Sequence, residues 1–132
     1  MKELLKSAIQ AAFDAGNEII KHYDSYDLKY KSDNSPLTSA DIAANEAIFS
    51  NLQKTKIPIC SEEQILQDTD ISTFWLVDPL DGTREFIQKN GQFCVCIALI
   101  QDFKPVLGVI FIPTKNEIFY TLKGQIYKND VL

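Results

Sequence analysis

Cysteine and histidine are scarce in this chain of 132 residues, which contains three cysteines and one histidine. An odd number of cysteines without regular spacing does not fit a disulfide framework and is typical of a protein from a reducing compartment. A zinc site ordinarily needs four ligands, and His22 lies in a different segment from all three cysteines. We therefore interpret Cys60, Cys94 and Cys96 as structural thiols, with Cys94 and Cys96 on one buried face of a strand.

Long apolar runs are also absent. The longest extends from Phe93 to Ile100, and its eight residues are far fewer than the ~20 that a membrane-spanning helix needs. Charged and polar residues near the N-terminus interrupt any signal-peptide core; they are Lys2, Glu3, Lys6 and Gln10. Together with the cysteine content, these absences predict a cytoplasmic protein without a transmembrane segment.

The composition is otherwise that of an ordinary globular protein. Apolar residues make up 45% and charged residues 23% of the chain, which excludes a disordered or collagen-like protein. The length allows one ordinary domain or half of a larger one. The net charge is −5, which disfavours a nucleic-acid duplex as partner because duplex binding depends on Lys and Arg. A metal cation or a metal-bound anion fits this acidic balance better.

The hydrophobic pattern predicts two helices followed by strands. Apolar residues recur at three- and four-residue steps from Lys2 to about Tyr23. A second helix is expected to begin at Thr38 or Ser39, whose hydroxyl can cap it, with Asp41 in its first turn. Strands are expected at Ile57 to Cys60, Phe74 to Val77, Phe93 to Ile100, Val106 to Ile112, Glu117 to Leu122 and Gln125 to Tyr127. This order predicts an α+β fold, with two N-terminal helices packed on a mostly antiparallel sheet.

Two segments place carboxylates where strands end: Ser61-Glu62-Glu63 and Asp78-Pro79-Leu80-Asp81-Gly82-Thr83. Pro79 fixes one torsion and Gly82 permits unusual ones, so the turn can bring both aspartates and the Leu80 carbonyl to one point. Hard oxygen ligands of this kind suit Mg²⁺.

Glu62 on a neighbouring strand end would add a third carboxylate. The predicted metal ligands are Glu62, Asp78, the Leu80 carbonyl and Asp81. The alternative interpretation is an ordinary turn in the second segment and a solvated acidic face in the first.

The residues after this turn favour phosphate chemistry. Thr83 to Ile87 can form a short helix, and the amides of Gly82 and Thr83 at its start would then face a phosphate group. Metal ions polarise phosphates and lower the pKa of an attacking water. Thr83 and Glu62 are the nearest candidates for holding that water.

These motifs resemble those of the inositol monophosphatase superfamily of magnesium-dependent, lithium-sensitive phosphatases. Arg84-Glu85-Phe86 is similar to the Lys-Glu-Phe of the bacterial 3'(2'),5'-bisphosphate nucleotidase branch, where inositol monophosphatases usually carry Thr-Asn-Phe. The resemblance covers essentially the whole chain and implies the N-terminal half of a layered αβαβα sugar-phosphatase-like fold. The matching segments are Asp33 to Ala44, Ser61 to Glu63, Trp75 to Ile87 and Gly108 to Pro113.

The resemblance also implies roles for individual residues. Asp78 would bridge two metal ions, and Glu62, Leu80 and Asp81 would complete the ligand set. Thr83 with Glu62 would activate the water, and Asp41 would accept a hydrogen bond from Thr83, which makes these three the implied catalytic residues. The implied substrate-binding residues are Glu62, Leu80, Asp81, Gly82 and Thr83.

The substrate implied by the resemblance is a small phosphorylated nucleotide, 3'-phosphoadenosine 5'-phosphate. Hydrolysis of its 3'-phosphate gives AMP and phosphate, a step tied to sulfate assimilation. Two alternatives are an inositol-phosphate phosphatase and a catalytically incomplete fragment that binds metal or nucleotide.

Family members continue into a second α/β half with a Trp-Asp-x-Ala-Ala motif, which this sequence does not contain. The resemblance therefore implies that residues 1–132 are an N-terminal α+β metal-binding domain whose C-terminal half is absent. We expect weak Mg²⁺ affinity and low or no phosphatase activity from such a chain. We also expect self-association through the face that the missing half would cover, since large exposed apolar patches promote association.

Overall fold

Two helices form one layer of the fold. The computed structural model describes residues 1–62 and 71–129, and in it α1 (Lys2–Lys21) packs against α2 (Ser39–Leu52). The buried face of α1 consists mainly of small residues, which permits close approach to the sheet. A Cβ atom at Gly16 would lie 2.3 Å from the Phe111 ring, so only glycine allows this contact without rearrangement. The first predicted helix is confirmed, although it ends two residues before Tyr23.

The start of α2 is fixed by a capping box. The Asp41 amide donates to Thr38 Oγ1, and the Thr38 amide donates to Asp41 Oδ2 at 2.8 Å. Each residue thereby satisfies a backbone donor that the helix geometry leaves without an intrahelical partner. The predicted cap is confirmed, and it fixes Asp41 on the first turn of α2.

A small hairpin lies between these helices, where the sequence pattern predicts no strand. It pairs β1 (Leu28–Tyr30) with β2 (Pro36–Thr38), antiparallel. Asp33 Oδ1 accepts the Ser35 amide at 2.9 Å, which closes the connecting turn. Strands of three residues are too short to show a hydrophobic alternation, which is why the hairpin was not predicted.

The second layer is a mixed sheet of six strands in the order β3-β4-β5-β6-β7-β8. β3 and β4 are parallel, and every other neighbouring pair is antiparallel. The strands are β3 (Ile59–Ser61), β4 (Phe74–Asp81), β5 (Cys94–Gln101), β6 (Lys104–Ile112), β7 (Glu117–Leu122) and β8 (Gln125–Lys128). The α+β class and the mostly antiparallel sheet are confirmed. The expectation that β4 ends at Val77 is wrong, because the strand continues to Asp81.

The two faces of the sheet differ in what covers them. Alternate residues of the central strands, such as Val95, Ile97 and Leu99, are buried beneath α1 and α2. The residues between them face the other way, and on that side Leu76 is 47% and Ile110 is 45% exposed. Strand register joins this second face into a row of paired residues: Cys60, Leu76, Ala98, Gly108, Thr121 and Ile126. We call it the open sheet face.

A short helix, α3 (Thr83–Ile87), follows β4. Phe86 is fully buried, and its ring contacts Tyr23, Tyr26 and Phe93 at centroid distances of 5.2 to 5.5 Å. Aromatic packing of this kind adds to the stabilisation from burial alone. It anchors α3 and therefore fixes the turn that precedes it. No helix in the described part of the chain is both long and apolar enough to cross a lipid bilayer.

Candidate active site

The end of β4 contains a β-bulge that places two aspartates on the same side. Asp78 lies opposite Cys96 and Asp81 lies opposite Cys94, so three steps on β4 match two steps on β5. In a regular strand, residues three apart point to opposite faces. The extra residue in the bulge therefore directs Asp78 and Asp81 to the open sheet face. Pro79 is tolerated here because a bulge does not require its missing amide hydrogen.

Gly82 follows the bulge with a backbone φ of +98°. A Cβ atom at this position would lie 2.9 Å from the Gln92 carbonyl oxygen, so both the torsion and the space favour glycine. The chain can consequently turn from β4 directly into α3, which begins at Thr83 as predicted.

Thr83 is held by the start of α2. Its Oγ1 lies 2.9 Å from Asp41 Oδ1 and 3.4 Å from the Leu80 carbonyl oxygen. A hydroxyl has one proton to donate, and the shorter distance assigns that proton to Asp41. The oxygen of Thr83 keeps its lone pairs for a further donor. The Thr83–Asp41 hydrogen bond that the resemblance implies is thus present in the structure.

Asp41 itself is 6% exposed. Its Oδ2 accepts from the Thr38 amide at 2.8 Å and from the Thr38 hydroxyl at 2.6 Å. Its Oδ1 accepts from the Thr83 hydroxyl. Buried carboxylates are stable only when hydrogen bonds compensate for lost hydration. Three donors do so here, and they fix the orientation of the carboxylate.

Glu62 directly follows β3 and is exposed. Lys31 Nζ donates to its Oε2 at 3.1 Å. The expectation of a third carboxylate at a neighbouring strand end agrees with this placement. Glu63, the second residue of the predicted acidic pair, lies outside the described residues.

The predicted residues are brought together to different degrees. Asp41, Leu80 and Thr83 are in direct contact. Glu62 and Asp78 line a groove of about 910 Å³ on the open sheet face, whereas Asp81 and Gly82 line an adjacent cleft of about 390 Å³. The oxygens of Glu62, Asp78 and Asp81 are not all within 4.8 Å of one another; among residues 1–62 and 71–129 the ligand atoms that lie this close belong to Asp81, Cys94 and Cys96.

The chemical types of the candidate ligands fit a hard divalent cation. Two aspartates and a backbone carbonyl lie on one bulge, and a glutamate opens onto the same groove as Asp78. These are oxygen ligands, which Mg²⁺ and Ca²⁺ prefer over sulfur and nitrogen.

The cysteines differ from the sequence interpretation. Cys94 and Cys96 are half-buried rather than buried, because they point to the open sheet face and away from the helices. The Sγ atoms lie 3.6 Å apart, and Cys94 Sγ lies 3.9 Å from Asp81 Oδ2. The hydrogen bond from Cys96 lowers the pKa of the Cys94 thiol, against the opposing effects of burial and nearby aspartates. Cys96 donates this hydrogen bond to Cys94 and is half-buried, and both effects disfavour loss of its proton. The pKa of the Cys96 thiol is therefore raised.

Two lysines near the site were not found from the sequence. Lys31 pairs with Glu62 across 31 positions of the chain, and Lys115 lines the cleft beside Asp81. Neither lies within a motif, and their placement depends on the β1–β2 hairpin and on the β6–β7 connection. Their positions near the site could be known only once the contacts between these distant segments of the chain were known.

Comparison with known proteins identifies the family. The model of the inositol monophosphatase family matches residues 1–130. The chain belongs to the inositol monophosphatase family. The chain is 42% identical over 137 aligned positions to the 3'(2'),5'-bisphosphate nucleotidase CysQ of Shigella flexneri, covering 96% of this chain and 55% of that protein.

Solved structures of this family share the fold. The crystal structure of CysQ from Bacteroides thetaiotaomicron is 44% identical, with a TM-score of 0.82, and the match covers 97% of this chain and 49% of that one. The extragenic suppressor protein SuhB of Bartonella henselae is 31% identical, with a TM-score of 0.88, and the match covers 97% and 52%. The chain therefore spans about half the length of the inositol monophosphatase family members it matches.

Proposed function

We propose that this chain supplies the metal- and phosphate-binding half of a Mg²⁺-dependent phosphomonoesterase, with residues 1–132 as its N-terminal domain. The proposed reaction is hydrolysis of the 3'-phosphate of 3'-phosphoadenosine 5'-phosphate to AMP and phosphate. The observation that carries this proposal is the hydrogen bond from Thr83 Oγ1 to Asp41 Oδ1, beside a bulge that presents Asp78 and Asp81 on one face. Membership of a phosphatase family and similarity to two CysQ proteins support it.

The proposed roles follow from hydrogen-bond chemistry. Glu62, Asp78, Asp81 and the Leu80 carbonyl would hold Mg²⁺, which when bound neutralises phosphate charge and lowers the pKa of a coordinated water. Thr83 gives its only proton to Asp41, so its oxygen can accept a hydrogen bond from the attacking water. Asp41 thereby orients Thr83, and Glu62 would accept a hydrogen bond from the second O–H of the same water.

The phosphate is expected to bind beside Gly82. Gly82, in the turn between β4 and α3, lines the same cleft as Asp81 and Lys115. A lysine ammonium at this edge provides positive charge for an anionic substrate. The side chains of Leu80 and Thr83 are fixed by packing and by the Asp41 contact, which favours catalysis because the reacting groups are already oriented.

A second candidate substrate is an inositol phosphate, since the family is named for that activity. The two substrates place their scissile phosphate on different alcohols but require the same metal and water. The third possibility is that this chain binds metal or nucleotide without turnover.

The test is to compare phosphate release from 3'-phosphoadenosine 5'-phosphate and from inositol 1-phosphate. The chain is assayed alone and as a chimera in which the C-terminal half of the Shigella flexneri CysQ follows residue 130. We expect Mg²⁺-dependent release from the nucleotide by the chimera and little release by the chain alone. Preference of the chimera for the inositol phosphate would support the second substrate, and binding of Mg²⁺ and AMP without any turnover would support the third possibility.

We also propose that the chain self-associates through the open sheet face. Leu76, Ile110 and Ile126 are 47%, 45% and 77% exposed there, and burying apolar area gains about 25 cal/mol per Å². We expect light scattering after size-exclusion chromatography to show a mass that rises with protein concentration. Ile110→Lys should reduce this rise, whereas Ile20→Lys should not, because Ile20 is 44% exposed but lies on α1. A monodisperse wild-type monomer at high concentration would contradict the proposal.

A further inference from the structure

Two thiols and a carboxylate meet at the edge of the candidate active site. One ligand atom from each of Cys94, Cys96 and Asp81 can be chosen so that all three lie within 4.8 Å of one another. The roles proposed above use Asp81 but neither cysteine. Sulfur is a poor ligand for Mg²⁺ and a good one for softer cations, so the cysteines add a chemistry that the phosphatase proposal does not need.

The backbone sets this arrangement. Cys94 and Cys96 are two residues apart on β5 and therefore face the same side. The bulge in β4 places Asp81 directly opposite Cys94. All three ligands stand on paired strands rather than on a loop, so little ordering would be needed when an ion binds.

Two of the three ligand separations agree with tetrahedral zinc coordination, and the third, between Cys96 and Asp81, is below 4.8 Å. Two thiolates bound to zinc at about 2.3 Å, with a tetrahedral angle between them, are about 3.8 Å apart, and a thiolate and a carboxylate oxygen are about 3.6 Å apart. The observed separations are 3.6 Å between the two Sγ atoms and 3.9 Å between Cys94 Sγ and Asp81 Oδ2. An ion would require only small side-chain adjustments.

The ligands are also accessible. Cys94 and Cys96 are half-buried, Asp81 is exposed, and Asp81 and Cys94 line the cleft of about 390 Å³. An ion can therefore reach the ligands from solvent in the unassociated chain. Three protein ligands leave one tetrahedral position for water.

We propose that Cys94, Cys96 and Asp81 form a binding site for a thiophilic divalent cation of the Zn²⁺ and Cd²⁺ class. Asp81 would belong both to this site and to the proposed Mg²⁺ site. The two cysteines distinguish them, because they contribute only to the thiophilic site.

The test uses the purified chain in a thiol-free reductant. Cd²⁺ is titrated while the near-ultraviolet absorption of the cadmium–thiolate bond is recorded, and Zn²⁺ affinity is measured by calorimetry. We expect one ion per chain and a thiolate absorption band. Each of Cys94→Ser and Cys96→Ser should weaken Zn²⁺ binding about tenfold or more, since even partners outside the coordination shell contribute 10- to 100-fold. The double variant should lose the band.

Cys60→Ser is the matched control, because Cys60 is also half-buried and faces the same side but pairs with Leu76. It should leave both measurements unchanged. The proposal is wrong if wild-type chain binds Cd²⁺ without a thiolate band, if the double variant keeps wild-type affinity, or if Cys60→Ser weakens binding equally. Should the double variant fail to fold, the wild-type band and the single variants still decide.

Discussion

Asp78→Asn is expected to reduce Mg²⁺-dependent phosphate release by about 10³-fold, because transition-state charge stabilisation by metal ions is worth several kcal/mol and each 1.36 kcal/mol is tenfold in rate. Asparagine retains the size of the side chain and removes its charge. Asp78 is half-buried and opens onto the same groove as Glu62. The substitution therefore tests the metal role and perturbs the packing little.

Turnover is measured in the chimera described above, and Mg²⁺ affinity is measured by calorimetry in both the chimera and the chain alone. The control is Asp102→Asn in the β5–β6 connection, where the backbone has a φ of +52° that asparagine also tolerates. We expect wild-type turnover from this control. Unchanged Mg²⁺ affinity and turnover in Asp78→Asn would contradict the assignment and would favour an ordinary structural turn.

Much of the fold could be predicted because its signals are local. The three- and four-residue spacing predicted α1, and the Thr38 and Asp41 side chains predicted the start of α2. Short apolar runs separated by short connections predicted the strands from β5 to β8 within one or two residues. The end of β4 was predicted too early because an Asp-Pro pair usually indicates the end of a strand. In the structure a bulge accommodates Pro79, and the strand continues past it.

The candidate site residues could be named from the sequence, but the distances between them could not be predicted. The Asp78 to Thr83 segment is contiguous, so its residues could be grouped from the sequence. The ion pair of Lys31 with Glu62 and the cluster of Asp81 with two thiols join segments that are far apart in the chain. Burial of Cys94 and Cys96 was expected because they share one face of a strand, where small thiols are commonly buried. Here only one face is covered.

Asp41→Asn is expected to lower the stability of the chain and the turnover of the chimera. One carboxylate oxygen accepts from Thr38 twice, and the other accepts from Thr83. Asparagine has a single acceptor oxygen, so either the Thr38 donors or the Thr83 hydroxyl must face its amide hydrogens. Losing the capping contact costs about 1 kcal/mol, and leaving a buried donor unpaired costs about 1–3 kcal/mol. We expect the free energy of unfolding, measured with urea, to fall by about 2 kcal/mol.

Turnover should fall separately, through Thr83. If the amide group of the substituted side chain faces Thr83, the Thr83 hydroxyl is no longer oriented to accept from water, and misplacement of about 1 Å can cost 10²-fold in rate. Thr83→Val keeps the shape of the side chain and removes the hydroxyl, so it should lose a similar factor in kcat with a smaller change in stability. Thr83→Ser keeps the hydroxyl and should recover most of the rate.

The double variant Asp41→Asn/Thr83→Val separates a positioning role from a purely structural one. If Asp41 affects the rate by orienting the Thr83 hydroxyl, then Asp41→Asn should change kcat little once that hydroxyl has been removed. The two losses in kcat will then not add. The stability losses should also be less than additive, because Asp41 and Thr83 share a hydrogen bond, but the part due to the Thr38 contacts should persist in the double variant. Rate losses that add fully would mean that Asp41 supports only the start of α2, and that Thr83 is oriented by another contact.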